Sequence, residues 1–133
     1  MNESKFSKHI RGIIKSACGG HVSRVEAAES AAGIPDLDYC VHGREGHIEL
    51  KVGSVKKPPD LLASQVRWFR KRIEAGGDPF FLCLNTDNNA VYLVDGQFFQ
   101  QLSGKTDIAT WGLLADHRWH WGTECLHGLK SYL

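Results

Sequence analysis

Asp36, Glu49 and Lys51 are the residues whose types and spacing point to chemistry. Asp36 opens one alternating stretch, and Glu49 and Lys51 stand two apart in a second. Side chains two apart on a strand point the same way, so Glu49 and Lys51 share a face. An antiparallel hairpin in the right register adds Asp36 to that face. Two carboxylates placed together repel unless something positive lies between them. A hard divalent ion with oxygen ligands, Mg²⁺ or Mn²⁺, is the natural occupant. Lys51 then contributes a fixed positive charge that orients a water or stabilises charge growing on a phosphoryl group. The bland alternative has Asp36 capping a turn and Glu49 and Lys51 on a solvated strand face.

The elements around these residues must form a hairpin for the chemistry to exist. Gly33, Ile34 and Pro35 break whatever precedes them and bias Ile34 toward extended geometry. From there Asp36, Asp38 and Cys40 alternate with Leu37, Tyr39 and Val41. After a turn-like stretch at 42–46, His47, Glu49 and Lys51 alternate with Ile48, Leu50 and Val52. Two half-buried strands joined by a five-residue loop are expected. Residues 53–60 read as a loop, with Asp60 placed to cap a helix over 61–75. That helix has Leu62, Val66, Phe69 and Ile73 on one face and is stopped by Gly76 and Gly77. Residues 80–84 and 90–94 read as strands, the former apolar throughout, as a strand covered on both faces would be. Residues 4–17 form an amphipathic helix capped by Ser4 or Ser7. The alanine-rich stretch 23–32 is either a short helix or an extended lead-in. The order is that of an α/β fold, a central mixed sheet flanked by helices.

Pro35-Asp36 followed by Glu49-Leu50-Lys51 is the residue set of the PD-(D/E)XK nucleases, whose fold is restriction-endonuclease-like. The wider string runs from Arg24-Val25-Glu26 through Gly33-Ile34-Pro35-Asp36-Leu37-Asp38-Tyr39-Cys40 and Ile48-Glu49-Leu50-Lys51 to Gln65. It resembles the VRR-NUC and Holliday-junction-resolvase-like branch of phages and bacteria over about residues 22–94. The resemblance implies a single nuclease domain, with the helix at 4–17 and an aromatic extension at 96–133 outside the match. It implies Asp36 and Glu49 as central metal ligands, the Leu50 carbonyl completing the metal shell, Lys51 as the catalytic lysine and Gln65 as the glutamine opening the next helix. Glu26 takes the upstream acidic role, with Glu29 its competitor. Action on branched DNA by a homodimer also follows from the resemblance.

Charge distribution adds an independent argument for nucleic acid. The chain carries 16 Lys and Arg against 15 Asp and Glu, so net charge says nothing about partners. Between Lys51 and Arg72, however, seven basic residues face the single acid Asp60, a local charge of +6. Lys56 and Lys57, in a proline-flanked loop, and Arg67, Arg70 and Lys71, on the helix, are the expected phosphate contacts. An exposed helix face can also be basic for solubility alone. Gln65 in the first helical turn could steady a water or a phosphate, or be a surface polar residue.

Other features carry less. His117, His120, Cys125 and His127 are zinc-type ligands, but their spacing matches no zinc module and packing or surface roles are expected. Trp111, Trp119 and Trp121 are expected to close over the core or meet a twofold partner. Four cysteines with no CxxC pair and no secretion signal read as reduced thiols, and a cytoplasmic, intracellular location is expected. No apolar run is long enough to span a bilayer. Rival readings are a nuclease of this fold acting on flaps, nicks or plain duplex, a catalytically inactive DNA-binding module, or a protein-interaction domain.

Overall fold

The computed structural model describes residues 1–26 and 32–133. In chain order it contains α1 (Glu3–Ser16), β1 (His21–Arg24), β2 (Leu37–Val41), β3 (Arg44–Gly53), β4 (Asp60–Leu61) and α2 (Ala63–Glu74). There follow β5 (Phe80–Asn85), β6 (Ala90–Asp95), a 3₁₀ turn (Gly96–Phe99), β7 (Gly104–Lys105), α3 (Ile108–Leu113), β8 (His117–His120) and α4 (Thr123–Tyr132). Six strands form one sheet in the order β1-β2-β3-β5-β6-β8, while β4 and β7 pair separately. β3 and β5 run parallel and the other neighbours antiparallel, so the sheet is mixed, with α2 carrying the chain across it from β3 to β5.

The alternation of β2 and β3 decides which side chains meet which helices. Leu37, Tyr39, Ile48 and Leu50 join Phe6, Ile10 and Ile14 of α1 and Cys125 and Leu129 of α4 in one apolar layer. The opposite face of β5 and β6 packs Phe81, Cys83, Tyr92 and Val94 against Val66 and Phe69 of α2 and Trp111 of α3. Glu49 and Lys51 belong to this second face, as their parity requires. β5 is buried along its whole length, as its continuous apolar run predicts.

Helix ends show why the elements stop where they do. Asn2, rather than Ser4 or Ser7, caps α1, its Oδ1 accepting the Lys5 N–H at 2.9 Å. Ala75 ends α2, and the Gly76 and Gly77 N–H groups donate back to Ile73 and Arg72 carbonyls with Gly76 at φ +92°. That is a Schellman stop, which needs a left-handed residue at Gly76.

Two expectations need correction. The hairpin turn is two residues, His42 (φ 53°) and Gly43 (φ 78°), because β3 begins at Arg44. Positive φ at both positions matches the right-handed twist of the flanking strands, which a five-residue loop need not do. Asp60 does not cap α2: it is drawn into the β4–β7 ribbon opposite Lys105, and Leu62 takes the cap position. Residues 96–133 also build the fold: β8 is an edge strand of the main sheet, and Trp111 is fully buried, closing over the core as expected. Residues 27–31, which include Glu29 and half of the alanine-rich stretch, lie outside the described residues; β1 accounts for the beginning of that stretch. All four cysteines are free thiols.

Phe69 stacks on Phe81 with ring centroids 4.3 Å apart and planes 9° from parallel, fixing α2 to the sheet. Phe69→Ala should therefore lower unfolding free energy in urea by about 3–5 kcal/mol, whereas the more volume-conserving Phe69→Leu should cost less than about 1.5 kcal/mol.

Candidate active site

β3 outruns β2, and the site occupies the difference. The last β2–β3 pair joins Leu37 to Ile48, leaving β3 from Glu49 onward without a strand on that side. Asp36 lies one residue beyond that pair. Its Oδ2 accepts the Leu50 N–H at 2.9 Å, so a carboxylate satisfies the backbone donor that a partner strand would have taken. This hydrogen bond holds Asp36 against the stretch carrying Glu49 and Lys51. On the other side β5 pairs with both positions, Glu49 opposite Phe81 and Lys51 opposite Cys83. Glu49 and Lys51 are 1% and 6% exposed, charged groups at core depth.

Gln65 organises the pair from the first turn of α2. Its Nε2 donates to Glu49 Oε2 at 2.9 Å, while its Oε1 accepts from the Leu62 N–H at 2.9 Å and from Lys51 Nζ at 3.0 Å. A flipped amide would turn its NH₂ toward two donors, so the network itself determines the orientation. Lys51 Nζ also donates to the Asp60 carbonyl at 2.8 Å and lies 3.4 Å from Glu49 Oε2. The sequence places Asp60 nearby for a different reason than expected: its carbonyl, not its carboxylate, serves the site.

Two glycines let these segments approach. Gly33 has φ +89°, and a Cβ there would overlap the Ser64 carbonyl in the first turn of α2. The loop leading into Asp36 thus presses directly on the turn that presents Gln65. At Gly53 a Cβ would strike the Pro59 ring, so that glycine lets the loop after β3 fold back and deliver Asp60 to Lys51.

The electrostatics are those of a group waiting for a cation. Glu49 Oε1 is buried with no hydrogen-bond partner among the described residues. Burial first, then the Asp36 carboxylate facing it, push the Glu49 pKa well above the usual carboxylate range, and Lys51 pulls only partly the other way. Glu3, an exposed residue in the first turn of α1, is within electrostatic reach of the site. Partial burial raises its pKa, Lys51 lowers it and Asp36 raises it, so its carboxyl senses both site charges. Sequence reasoning missed Glu3, since an acid in a first helical turn reads as favouring the helix dipole.

The structure brings Asp36, Glu49, Lys51 and Gln65 together, with the Leu50 backbone beside them. It does not bring Glu26 to them. Glu26 is exposed just past β1, and among the described residues no hydrogen bond or ion pair joins it to that group. Its neighbour Val25 is the residue bonded to Asp36, through backbone N–H to carbonyl at 2.8 Å. Lys56, Lys57, Arg67, Arg70 and Lys71 are all exposed. Arg70 lies over the Phe99 ring, 5.5 Å from its centroid. Cys125 is in the core, which removes it from any ligand set with the tail histidines.

The donor set suits a hard cation. Among the described residues no three or more His, Cys, Asp and Glu side chains are assembled into a ready metal cage. Mg²⁺ does not need one, because it keeps several waters and binds through one or two carboxylates. The unpartnered Glu49 Oε1, the Asp36 carboxylate that raises its pKa and the Leu50 backbone that Asp36 already touches fit that requirement.

Among solved structures, the chain is similar to the Holliday junction resolvase Hjc of the archaeal hyperthermophile Archaeoglobus fulgidus. The TM-score is 0.61 at 18% identity, over 83% of this chain and 92% of that one. The fold is resolvase-like. No protein-family model matches the sequence and no curated protein does either. No helix of the described residues is long and apolar enough to cross a membrane.

The raised Glu49 pKa has a signed consequence. A carboxyl whose folded pKa exceeds its unfolded value of 4.5 stabilises the fold fully below that value and loses the contribution as pH rises through the folded pKa. Without divalent ions, the melting temperature should fall as pH rises above the unfolded value of 4.5 toward the raised folded pKa, and Glu49→Gln should flatten that slope. Added Mg²⁺ should restore stability mainly at the alkaline end, measured by thermal melts across pH.

Proposed function

We propose that this chain is a Mg²⁺- or Mn²⁺-dependent DNA endonuclease of the PD-(D/E)XK superfamily that hydrolyses phosphodiester bonds with a preference for branched DNA. The observation that carries the reading is the buried Glu49 carboxyl, its Oε1 without a hydrogen-bond partner among the described residues and its pKa raised by burial and by Asp36, beside a lysine already fixed at Nζ. A purely structural role would leave that oxygen paired, since an unsatisfied buried acceptor costs about 1–3 kcal/mol.

Each residue has a task in this reading. Asp36, Glu49 and the Leu50 carbonyl would hold the cation, with Glu3 in the upstream acidic role that the sequence resemblance gives to Glu26. We prefer Glu3 because its carboxyl senses Lys51 and Asp36. When bound, the metal supplies Lewis acidity toward the scissile phosphate and a bound water acidic enough to ionise near neutral pH. Gln65 keeps Glu49 turned so that Oε2 is occupied and Oε1 is left for ligation. Lys51, held by the Asp60 carbonyl and Gln65, presents its ammonium to the attacking water or to the negative charge that grows on the phosphoryl oxygens. Lys56, Lys57, Arg67, Arg70 and Lys71 hold the flanking phosphates.

The resolvase-like fold and the motif string support placing the chain in the VRR-NUC and Holliday-junction-resolvase-like branch of phages and bacteria, at work on DNA inside the cell. Symmetric cutting of two strands requires two sites, which favours a C₂ homodimer. Cutting flaps, nicks or plain duplex is the alternative within the same chemistry.

Asp36→Ala, Glu49→Ala and Lys51→Ala should each reduce Mg²⁺- or Mn²⁺-dependent cleavage of supercoiled plasmid by at least about 100-fold while leaving DNA binding measurable. If the wild-type chain cuts nothing in either metal, the enzyme reading is lost and a DNA-binding module remains. Lys56→Ala and Lys57→Ala should each weaken binding and lower the slope of log affinity against log salt by about one. Paired nicks in a four-way junction, from a chain that sediments as a dimer, are expected over indifference to DNA shape.

A further inference from the structure

Trp68 lies on the basic helix α2, one turn past Gln65, and is only half-buried, whereas Trp111 is fully buried. Its place follows from the two elements that build the site. His47, Glu49 and Lys51 share a face of β3. Gln65 bonds to Glu49 and Lys51, and Trp68, three residues further along α2, meets His47. The His47 and Trp68 ring centroids are 5.1 Å apart, edge to face at 62°. Two strand residues span about 7 Å, so this contact lies that far along β3 from Glu49.

The indole is anchored. It packs edge-on against Phe69, centroids 5.5 Å apart, and Phe69 is the ring that stacks on Phe81. Arg72, one turn further on, lies over the Trp68 ring with its guanidinium carbon 4.7 Å from the centroid. Gly77 makes room for it, since a Cβ there would strike Arg72 Cγ and Cδ. The helix stop needs positive φ at Gly76 alone, so the second glycine serves the arginine stem. Arg72 and Gly77 also border two cavities. One, of about 610 Å³, is lined by Trp68 and Lys71, and the other, of about 370 Å³, by His47, Asp38 and Glu45. Carboxylates repel a phosphate, whereas the edge of a base offers them N–H donors. An indole and a guanidinium to stack on, with acceptors close by, suit a nucleobase.

We propose that Trp68 and Arg72, with His47 at the ring edge, form a subsite that receives one unpaired nucleobase of a DNA strand passing the Glu49 and Lys51 side chains. The base stacks on the guanidinium and indole pair, and Asp38 and Glu45 accept its N–H groups. DNA with an unstacked base near the cut is then favoured over continuous duplex, in which stacking must first be broken. The identity of this ligand rests on the nuclease reading above; the measurement does not.

The test compares a short oligodeoxycytidine with an abasic strand carrying the same number of phosphates, each bound by the full chain in Ca²⁺. The wild type should bind the base-bearing strand about tenfold more tightly, the scale of one stacked base. Trp68→Ala should abolish that ratio and leave affinity for the abasic strand unchanged, while Trp68→Phe should keep most of the ratio and Arg72→Gln should lower it in part. A second measurement needs no variant: with 5-bromodeoxyuridine in the strand, irradiation of the wild-type complex should join it to Trp68, as located by mass spectrometry of the digested chain. Equal affinity for the two strands, a ratio that survives in Trp68→Ala, or adducts only elsewhere each overturn the subsite and leave Trp68 as packing for Phe69. If the ratio depends on Trp68 but plasmid is not cut in Mg²⁺ or Mn²⁺, the nuclease reading falls and the subsite stands. If plasmid is cut while the wild type binds both strands equally, the reverse holds.

Discussion

A carboxylate stripped of water must gain a proton or a cation, and Glu49 is held where one of the two is required. Removing an ionised carboxylate from water costs several kcal/mol even after relaxation. Lys51 at 3.4 Å offsets part of that, but its ammonium is shared with the Asp60 carbonyl and Gln65. Asp36 opposes it from the other side. The balance favours a proton on the free group and leaves an oxygen in want of a partner. The apolar layers on both faces of the sheet are complete without Glu49, so the arrangement is an electrostatic cost that the fold carries rather than a source of its stability.

What keeps the group in that condition is a short list of backbone constraints. β2 begins only at Leu37, opposite Ile48, which frees the Leu50 N–H and lets Asp36 take it. β5 covers β3 from the other side and denies Glu49 and Lys51 access to bulk water there. α2 follows β3 through a loop that folds back over Gly53, so its first turn arrives with Gln65 above the pair. Gly33 then locks the entrance of Asp36 against that same turn. Each constraint is backbone-level, which makes the side-chain geometry stiff without filling the site with side chains.

The legible part of this was the part with a short period. Asp36, Glu49 and Lys51 declared themselves because alternation over 36–41 and 47–52 assigns each side chain a face, and Gln65 because an amphipathic run places it in a first turn. The apolar β5 and the Gly76–Gly77 stop were equally local signals. The electrostatic link of Glu3 to Lys51 and Asp36 was not legible, because it depends on how α1 packs against the sheet, a long-range outcome. Resemblance of the Arg24-Val25-Glu26 string drew attention to Glu26 instead. The two-residue turn was obscured by His42, since a histidine at positive φ is uncommon and its sequence neighbours allow longer loops. β8 escaped because an edge strand exposed on both faces carries no alternating apolar row. Asp60 was misassigned because a carboxylate before a helix reads as a cap, whereas here pairing with β7 decides its position.

The surroundings of the site divide the work of recognition by physical type. In the proposed nuclease reading, lysines and arginines on the loop after β3 and on α2 would act through charge, which reads a phosphate backbone of any shape and weakens uniformly with salt. Charge alone therefore gives affinity without selection among DNA forms. Selection needs a contact whose energy depends on whether bases are stacked, and only apolar or aromatic groups near the cleaved bond supply one. Trp111 is buried and Trp119 and Trp121 pack against the α1–α4 layer, so the tail's tryptophans are committed to the fold.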